Sequence, residues 1–241
     1  MRRIADTYLS DASDGERALI VTADVSHSYL TLVTRSEKLA KLIETQAKVD
    51  SMSISGVIET ADDQIVLGLR GGFTYSDTFM TVPAGSIDYH SGRNPLFETF
   101  DAEVGEEVGL SDLSDVRVLG RIYDFTLGNN SHYVFGARTP LTFGEAATVY
   151  KGALENREHR HLMGIANDGE LILNLAARLR FDRSVMDKER PSVTVAANRG
   201  SMLPPAVAGL LLYYRSKVNP GDVSNWVRDV EKTFRGEYTF L

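Results

Sequence analysis

The sequence predicts an α/β (α+β) fold in which helices flank a mixed β-sheet. Short runs of β-branched and other apolar residues alternate with turn-forming residues, which is typical of strands. Other segments carry apolar residues at every third or fourth position, which is typical of amphipathic helices. The chain has 241 residues, of which 43% are hydrophobic. That is enough for one well-buried core, or for one domain with a sizeable extension.

The composition argues against several classes of protein. The chain contains no cysteine, so it has neither disulfides nor thiolate metal sites. Its formal net charge of −7 argues against nucleic acid as a partner, because binding the phosphate backbone needs clustered lysine and arginine. We find no apolar run with the length of a signal-peptide core or a membrane span. We therefore expect a soluble, cytoplasmic protein that binds neither nucleic acid nor a membrane.

The first 50 residues are predicted to form an extension packed on a main domain that spans residues 51–241. Segments 18–23 and 29–34 flank a polar turn and predict a β-hairpin. Ser36 is a suitable N-cap for a helix that follows. Nothing in the extension combines titratable groups with a glycine-rich turn, so we assign it a structural role, with a homodimer surface as one form of that role.

The main domain is predicted to contain a sheet followed by packing helices. Strands are expected on both sides of the turn at 61–64, at 79–83, and as an antiparallel pair at 116–125 and 131–137. A helix at 168–180 begins with Asp168 as its cap, and Leu171, Leu175 and Leu179 have the spacing of a core stripe. Two further apolar helices are predicted at 204–214 and around 226–234.

One helix near the middle of the chain carries most of the functional signal. It is predicted to begin after Asn94 and to end at Gly109, the residue type that most easily adopts the left-handed conformation after a helix. Its apolar stripe consists of Phe97, Phe100, Val104 and Val108.

Three glutamates lie at i, i+3 and i+4 on this helix, at Glu103, Glu106 and Glu107. This spacing predicts that their carboxylates share one face and repel one another. A cation would relieve the repulsion, and clustered hard oxygens suit Mg²⁺ or Mn²⁺. The alternative is a solvated acidic face.

The stretch around these glutamates resembles the signature of the Nudix hydrolase family, G-x5-E-x7-R-E-U-x-E-E-x-G-U, where U is aliphatic. The nine residues AEVGEEVGL, which end at Leu110, match its final part at every defined position except the arginine, which is Ala102 here. The family's Pro-Gly-Gly opening has a counterpart in Pro83-Ala84-Gly85. Asn94 falls where the first glutamate is expected, and three extra residues separate Gly85 from Glu103, so the loop 88–95 resembles a small insertion.

The resemblance implies a Nudix-like sandwich of mixed sheet and helices, and a metal-dependent hydrolase. The reaction would be hydrolysis of a diphosphate bond in a nucleoside diphosphate linked to another group, a small-molecule nucleotide substrate. Glu103, Glu106 and Glu107 would hold Mg²⁺ or Mn²⁺, with Glu103 and Glu106 as catalytic residues. The leaving group stays open among nucleotide sugars, ADP-ribose, dinucleoside polyphosphates and coenzyme A, because loops outside the motif select it.

Substrate contacts are expected from Arg70, Gly85 and Arg93. Arg70 ends a strand near the place where the family often has a basic residue, and it serves equally well as an ordinary strand-end cation. Arg93 and His90 lie in the loop 88–95, which we expect to border the substrate pocket; a solvent-facing insertion is the alternative.

Two other readings of the motif remain. Ala102 and Asn94 favour a Nudix-like domain that binds a nucleotide diphosphate without cleaving it, because a ligand misplaced by about 1 Å costs about a hundredfold in rate. An acidic surface helix on an unrelated protein is the second reading.

The segment 143–158 is predicted to be a loop or short helix over the site. Glu145, Glu155 and Glu158 are candidates for a base or an extra ligand by position alone. His159 and His161, two residues apart, would share a face if they lie in a strand. No further Cys, His or carboxylate lies at the spacing of a metal site, so we do not expect a zinc site.

Overall fold

The computed structural model describes residues 7–10, 17–20, 51–71, 75–87, 94–124, 130–152, 158–179 and 199–234. The strands are β1 Thr7–Ser10, β2 Arg17–Ile20, β3 Ser51–Glu59, β4 Gln64–Arg70, β5 Phe79–Thr81, β6 Ala84–Ser86, β7 Ser114–Asp124, β8 Asn130–Arg138 and β9 His159–Ala166. The helices are α1 Pro95–Glu103, continued by a π-helical turn Val104–Val108, then α2 Phe143–Gly152, α3 Gly169–Arg178, α4 Pro204–Arg215, a 3-10 turn Pro220–Asp222, and α5 Val223–Thr233.

Seven of these strands form one mixed sheet, which confirms the predicted fold class. The order is β5-β4-β3-β8-β7, with β6 paired to β3 and β9 paired to β4. β3 and β8 run parallel along the whole of β3, from Ser51 to Glu59, and the other pairs are antiparallel. The strands predicted around 61–64, at 79–83, and at 116–125 and 131–137 are all present in the part of the chain that the structure describes.

Helices cover both faces of this sheet. Successive side chains of a strand point to opposite sides, so β3 contributes to the core on each face. Ile54 and Ile58 of β3 enter a core cluster with Leu96 and Phe100 of α1. Val57, between them, enters a second cluster that contains the buried residues of α3 and α4. The sheet therefore separates the face that carries the glutamate helix from the face that carries the C-terminal helices.

Only two short strands of the extension, β1 and β2, are described. β2 overlaps the predicted strand 18–23, but it pairs antiparallel with β1 at Thr7–Ser10. Residues 29–34, the predicted partner, and the helix after Ser36 lie outside the described residues. A strand can pair along both of its edges, so the predicted pairing of 18–23 with 29–34 stays a prediction.

The C-terminal helices are confirmed, with one correction. Asp168 caps α3 by accepting a hydrogen bond from the Leu171 N–H at 2.8 Å. The buried stripe of α3 is Ile172 and Ala176, whereas Leu171 is 49% exposed, so the stripe is displaced by one position from the predicted leucines. An apolar residue in an amphipathic helix can lie at the edge of the buried face, and spacing alone does not fix which edge is covered.

The last two helices close the second face. α4 is buried along nearly all its length, and α5 contributes Val230, with Phe234 just after it, both fully buried. Among the described helices, none is long and apolar enough to cross a membrane.

Candidate metal and diphosphate site

The glutamate helix is present with the predicted start and stop. Pro95 opens α1, and Gly109 ends the π-helical turn with φ of 71°, in the left-handed region. Phe100, Val104 and Val108 are buried, as the apolar stripe predicts, and Phe97 is half-buried. The Phe100 ring stacks on Phe135 of β8 at a centroid distance of 4.6 Å, which anchors the helix to the sheet.

The three glutamates differ in their exposure to solvent. Glu107 is 2% exposed, Glu103 is half-buried, and Glu106 is exposed. The cause is the π-helical turn Val104–Val108. Its i→i+5 pattern has more than four residues per turn, so residue i+4 stays above residue i while residue i+3 is rotated away. The predicted i, i+3, i+4 face assumes α-helical geometry, which the π-helical turn changes between Glu103 and Glu107.

Glu103 lies directly over Gly85 of β6. A Cβ built on Gly85 would be 1.9 Å from Oε1 of Glu103 and 2.3 Å from its Cδ. No residue with a side chain fits there without moving the carboxylate. Gly85 is thus required by the close approach of Glu103, and it lies in a short strand paired with β3 rather than in a free turn.

Glu107 is held by the neighbouring residue of the same strand. Its Oε2 accepts a hydrogen bond from the Ala84 N–H at 3.0 Å. The same oxygen lies 3.2 Å from Nε2 of His159. Both of these contacts go to Oε2, so neither uses Oε1. The carboxylates of Glu103 and Glu107 therefore converge on two consecutive residues, Gly85 and Ala84.

His159 comes from β9, 52 residues further along the chain. The register between β4 and β9 shifts between Leu69 and Arg70, which pair with His161 and His159. This irregularity turns His159 inward, where it is 4% exposed, while His161 is exposed. The expectation that the two histidines share a strand face was wrong, because a bulge breaks the two-residue alternation.

The His159 ring packs over a glycine and beside α2. A Cβ on Gly68 of β4 would lie 2.5 Å from Nδ1 of His159, so the ring occupies space that only glycine leaves open. The hydroxyl of Tyr150 in α2 donates a hydrogen bond to the backbone carbonyl of His159. Burial, and then the charge of Glu107, raise the pKa of the Tyr150 hydroxyl, so it remains a donor at neutral pH.

Arg70 lies next to this cluster, opposite His159 in the β4–β9 register. Its Nη2 is 3.4 Å from Oε2 of Glu158, and its Nη1 contacts the sulfur of Met80 at 3.3 Å. Its Nε is buried and makes no hydrogen bond with the described residues. Arg70 is therefore partly engaged by Glu158, and its contact with substrate stays a prediction.

The other sequence candidates divide into two groups. Glu145 accepts hydrogen bonds from both the backbone N–H and the hydroxyl of Thr142, which makes it the partner of Thr142 in a capping box at the start of α2. These hydrogen bonds, the hydroxyl's first, lower the pKa of Glu145. Glu155 and the loop residues His90 and Arg93 lie outside the described residues.

The donor set at β6 fits a hard divalent cation. Within the described ranges, no three His, Cys, Asp or Glu side chains are grouped closely enough to ligate one ion. Mg²⁺ is commonly held by one or two carboxylates, with water and phosphate oxygens completing its coordination. Glu103 over Gly85, together with Oε1 of Glu107, which makes no hydrogen bond with the described residues, matches that requirement. Sequence reasoning missed Tyr150 and the link between His159 and Glu107, which no local motif signals.

Comparison with known proteins gives structural similarity at low sequence identity. No family model and no curated protein sequence matches the chain. A Nudix hydrolase from Nitrosomonas europaea is 14% identical, with 73% of this chain and 95% of that chain covered and a TM-score of 0.45. A MutT protein from Methanosarcina mazei Go1 is 16% identical, with 71% and 98% covered and a TM-score of 0.45.

A further solved structure is the Nudix domain of Shewanella oneidensis NrtR complexed with ADP ribose, which is 12% identical, with 59% of this chain and 84% of that chain covered and a TM-score of 0.38. At such values the similarity carries no weight for substrate or activity. These three solved structures carry the names of Nudix and MutT proteins, the family that the glutamate motif of this chain resembles.

Proposed function

We propose that this protein is a Nudix-type, metal-dependent hydrolase of a diphosphate bond in a nucleoside diphosphate linked to another group. The observation that supports this most strongly is the convergence of Glu103 and Glu107 on the consecutive residues Gly85 and Ala84. A buried carboxylate is costly to keep unless a cation or hydrogen bonds compensate it. We therefore expect these two carboxylates to bind a cation.

The roles of the residues follow from their positions. Glu103 and Glu107 would hold Mg²⁺ or Mn²⁺, which when bound neutralises phosphate charge and lowers the pKa of a coordinated water. Glu106, exposed in the same π-helical turn as Glu107, would meet water or a phosphate-bound ion from the solvent side. Arg70 would offer its buried, uncommitted Nε–H to a phosphate oxygen. The hydrogen bond from the Ala84 N–H would hold the Glu107 carboxylate in place when the cation is bound.

A panel of diphosphate compounds tests the proposal. Nucleotide sugars, ADP-ribose, dinucleoside polyphosphates and coenzyme A are incubated with Mg²⁺ or Mn²⁺, and phosphate is measured after phosphatase coupling. The proposal expects turnover of at least one compound, which chelator abolishes. Absence of turnover across the panel, in protein that binds Mn²⁺, contradicts it.

The second candidate is a domain that binds a nucleotide diphosphate without cleaving it. Ala102, in place of the arginine of the family pattern, and the absence of a third close ligand in the described part of the chain favour it. Calorimetric binding of a panel compound without product formation would establish this candidate and exclude hydrolysis of that compound.

A further inference from the structure

The buried pair of His159 and Glu107 is a titratable contact at the site that the proposed chemistry does not use. Both side chains are almost fully buried, at 1% and 2% exposure. Burying polar groups is unfavourable unless they bond to each other, and the Nε2 to Oε2 distance of 3.2 Å provides that bond. A contact so placed restricts the Glu107 carboxylate to one orientation.

The hydrogen-bond donors around Glu107 determine which of its two oxygens remains available to a cation. In the tautomer with the proton on Nε2, His159 donates to Oε2 of Glu107. The Ala84 N–H donates to the same Oε2. Two donors on one oxygen hold the carboxylate plane, and they leave Oε1 as the atom that can face a cation.

The ring itself is fixed by the backbone around it. Gly68 leaves the space that the imidazole fills, with its absent Cβ at 2.5 Å from Nδ1. Nδ1 is buried and makes no hydrogen bond with the described residues. The ring orientation therefore depends on the Gly68 contact and on the bond to Glu107, while Tyr150 holds the backbone carbonyl of His159.

We propose that His159 is a positioning residue that orients Glu107 for divalent-cation binding. Its ring fills the space that Gly68 leaves open. This inference rests on the proposed function, because it assumes that Glu107 is a metal ligand. His159 touches neither the cation nor the substrate in this account. It takes on an orienting role in a chain that has alanine at position 102, where the family pattern has arginine.

The test compares Mn²⁺ affinity, measured by electron paramagnetic resonance of free Mn²⁺, in wild type, His159→Leu and His159→Gln. Leucine fills similar volume without a donor, whereas the glutamine amide can donate at the position of Nε2. Loss of an orienting partner typically costs about 10–100-fold in metal affinity, so we expect that loss in His159→Leu. We expect His159→Gln to bind within about threefold of wild type, because its hydrogen bond is restored.

Two results would overturn the inference. Unchanged affinity in His159→Leu would show that Glu107 needs no partner. Equal losses in both variants would assign the effect to packing and not to the hydrogen bond. If His159→Leu does not fold, Gly68→Ala decides, since it retains the imidazole but displaces it: weakened Mn²⁺ binding supports the inference, and wild-type affinity overturns it.

The same titration separates this inference from the proposed function. A wild-type protein that binds no Mn²⁺ overturns both. A wild-type protein that binds Mn²⁺ as tightly as His159→Leu overturns only the role of His159.

Discussion

Two buried glutamates, Glu59 and Glu107, differ in how their charge is compensated. Glu59, at the end of β3, has both oxygens occupied: Oε2 accepts from the Tyr213 hydroxyl at 2.5 Å and from Lys217 Nζ at 2.9 Å, and Oε1 lies 2.9 Å from Arg138 Nη2. Glu107 receives one backbone N–H and one imidazole, both on Oε2. Glu59 is thus a saturated carboxylate, with partners on both oxygens, which suits it to holding elements together. Glu107 is a half-used carboxylate, with partners on one oxygen, which suits it to binding a cation.

The surroundings of Glu59 support a structural role. Tyr213 and Lys217 belong to α4 and the turn after it, and Arg138 ends β8, so Glu59 joins the C-terminal helices to the sheet. Burial raises the pKa of Glu59, but the hydrogen bonds from Tyr213 and Lys217 and the nearby cations outweigh it and hold the pKa below 4.5. Burial and the bond to Glu59 raise the pKa of Tyr213, which keeps its hydroxyl a donor.

The largest expected effect is on the half-used carboxylate. Glu107→Gln keeps the volume but removes the charge, so we expect hydrolysis to fall by at least about a hundredfold at saturating Mg²⁺. Stability in chelator should change little, because glutamine can still accept from the Ala84 N–H. The matched control is Glu170→Gln on exposed α3 surface. Equal activity in the two variants would remove the functional side of the comparison.

The saturated carboxylate should respond in the opposite way. Glu59→Gln is expected to destabilise the protein by about 2 kcal/mol in urea unfolding and to leave kcat within about twofold, because it breaks two ion pairs and touches no site residue. The exposed fractions of Arg138 and Lys217, 54% and 37%, let water replace part of the loss.

The pH dependence of this effect has a defined sign. Because the folded-state pKa of Glu59 lies below its ordinary value of 4.5, the ionised form stabilises the fold above that value. This contribution is lost as pH falls below 4.5 and through the folded-state pKa. The stability gap between wild type and Glu59→Gln should therefore narrow on acidification. A gap that widens at low pH would contradict the assignment.

A smaller effect sharpens the functional side. Gly85→Ala places a Cβ where the Glu103 carboxylate lies, so Glu103 must move. We expect about a tenfold loss of hydrolysis or more, since small displacements of a catalytic group are costly. Gly144→Ala in α2, whose Cβ would meet nothing within 4 Å, is the control and should retain full activity. Full activity in Gly85→Ala would mean that Glu103 is free to be elsewhere.

The sequence predicted those parts of the molecule that depend on local patterns. The strand pairs, the glutamate helix with its Gly109 stop, and the Asp168 cap each depend on residues close in sequence, and all are present. The buried stripe of α3 lies one residue away from the predicted leucines, because the elements that pack against the helix determine which of its apolar residues are covered.

The site was predictable in its residue types but not in its geometry. The glutamate motif identifies Glu103, Glu106 and Glu107, yet the π-helical turn that exposes Glu106 has no sequence signature that we used. The contact between His159 and Glu107 depends on a bulge in β9 and on Gly68, which are far from the motif in sequence. Such contacts come from tertiary packing, which periodicity does not report.

X-ray diffraction from crystals soaked in Mn²⁺, with data collected at the Mn absorption edge, tests the central claim most directly. The account predicts an anomalous peak within coordination distance of both Glu103 and Glu107, beside Ala84 and Gly85, and no such peak in crystals of Glu107→Gln. A fully occupied Mn²⁺ elsewhere on the surface, with none between these two carboxylates, would contradict it.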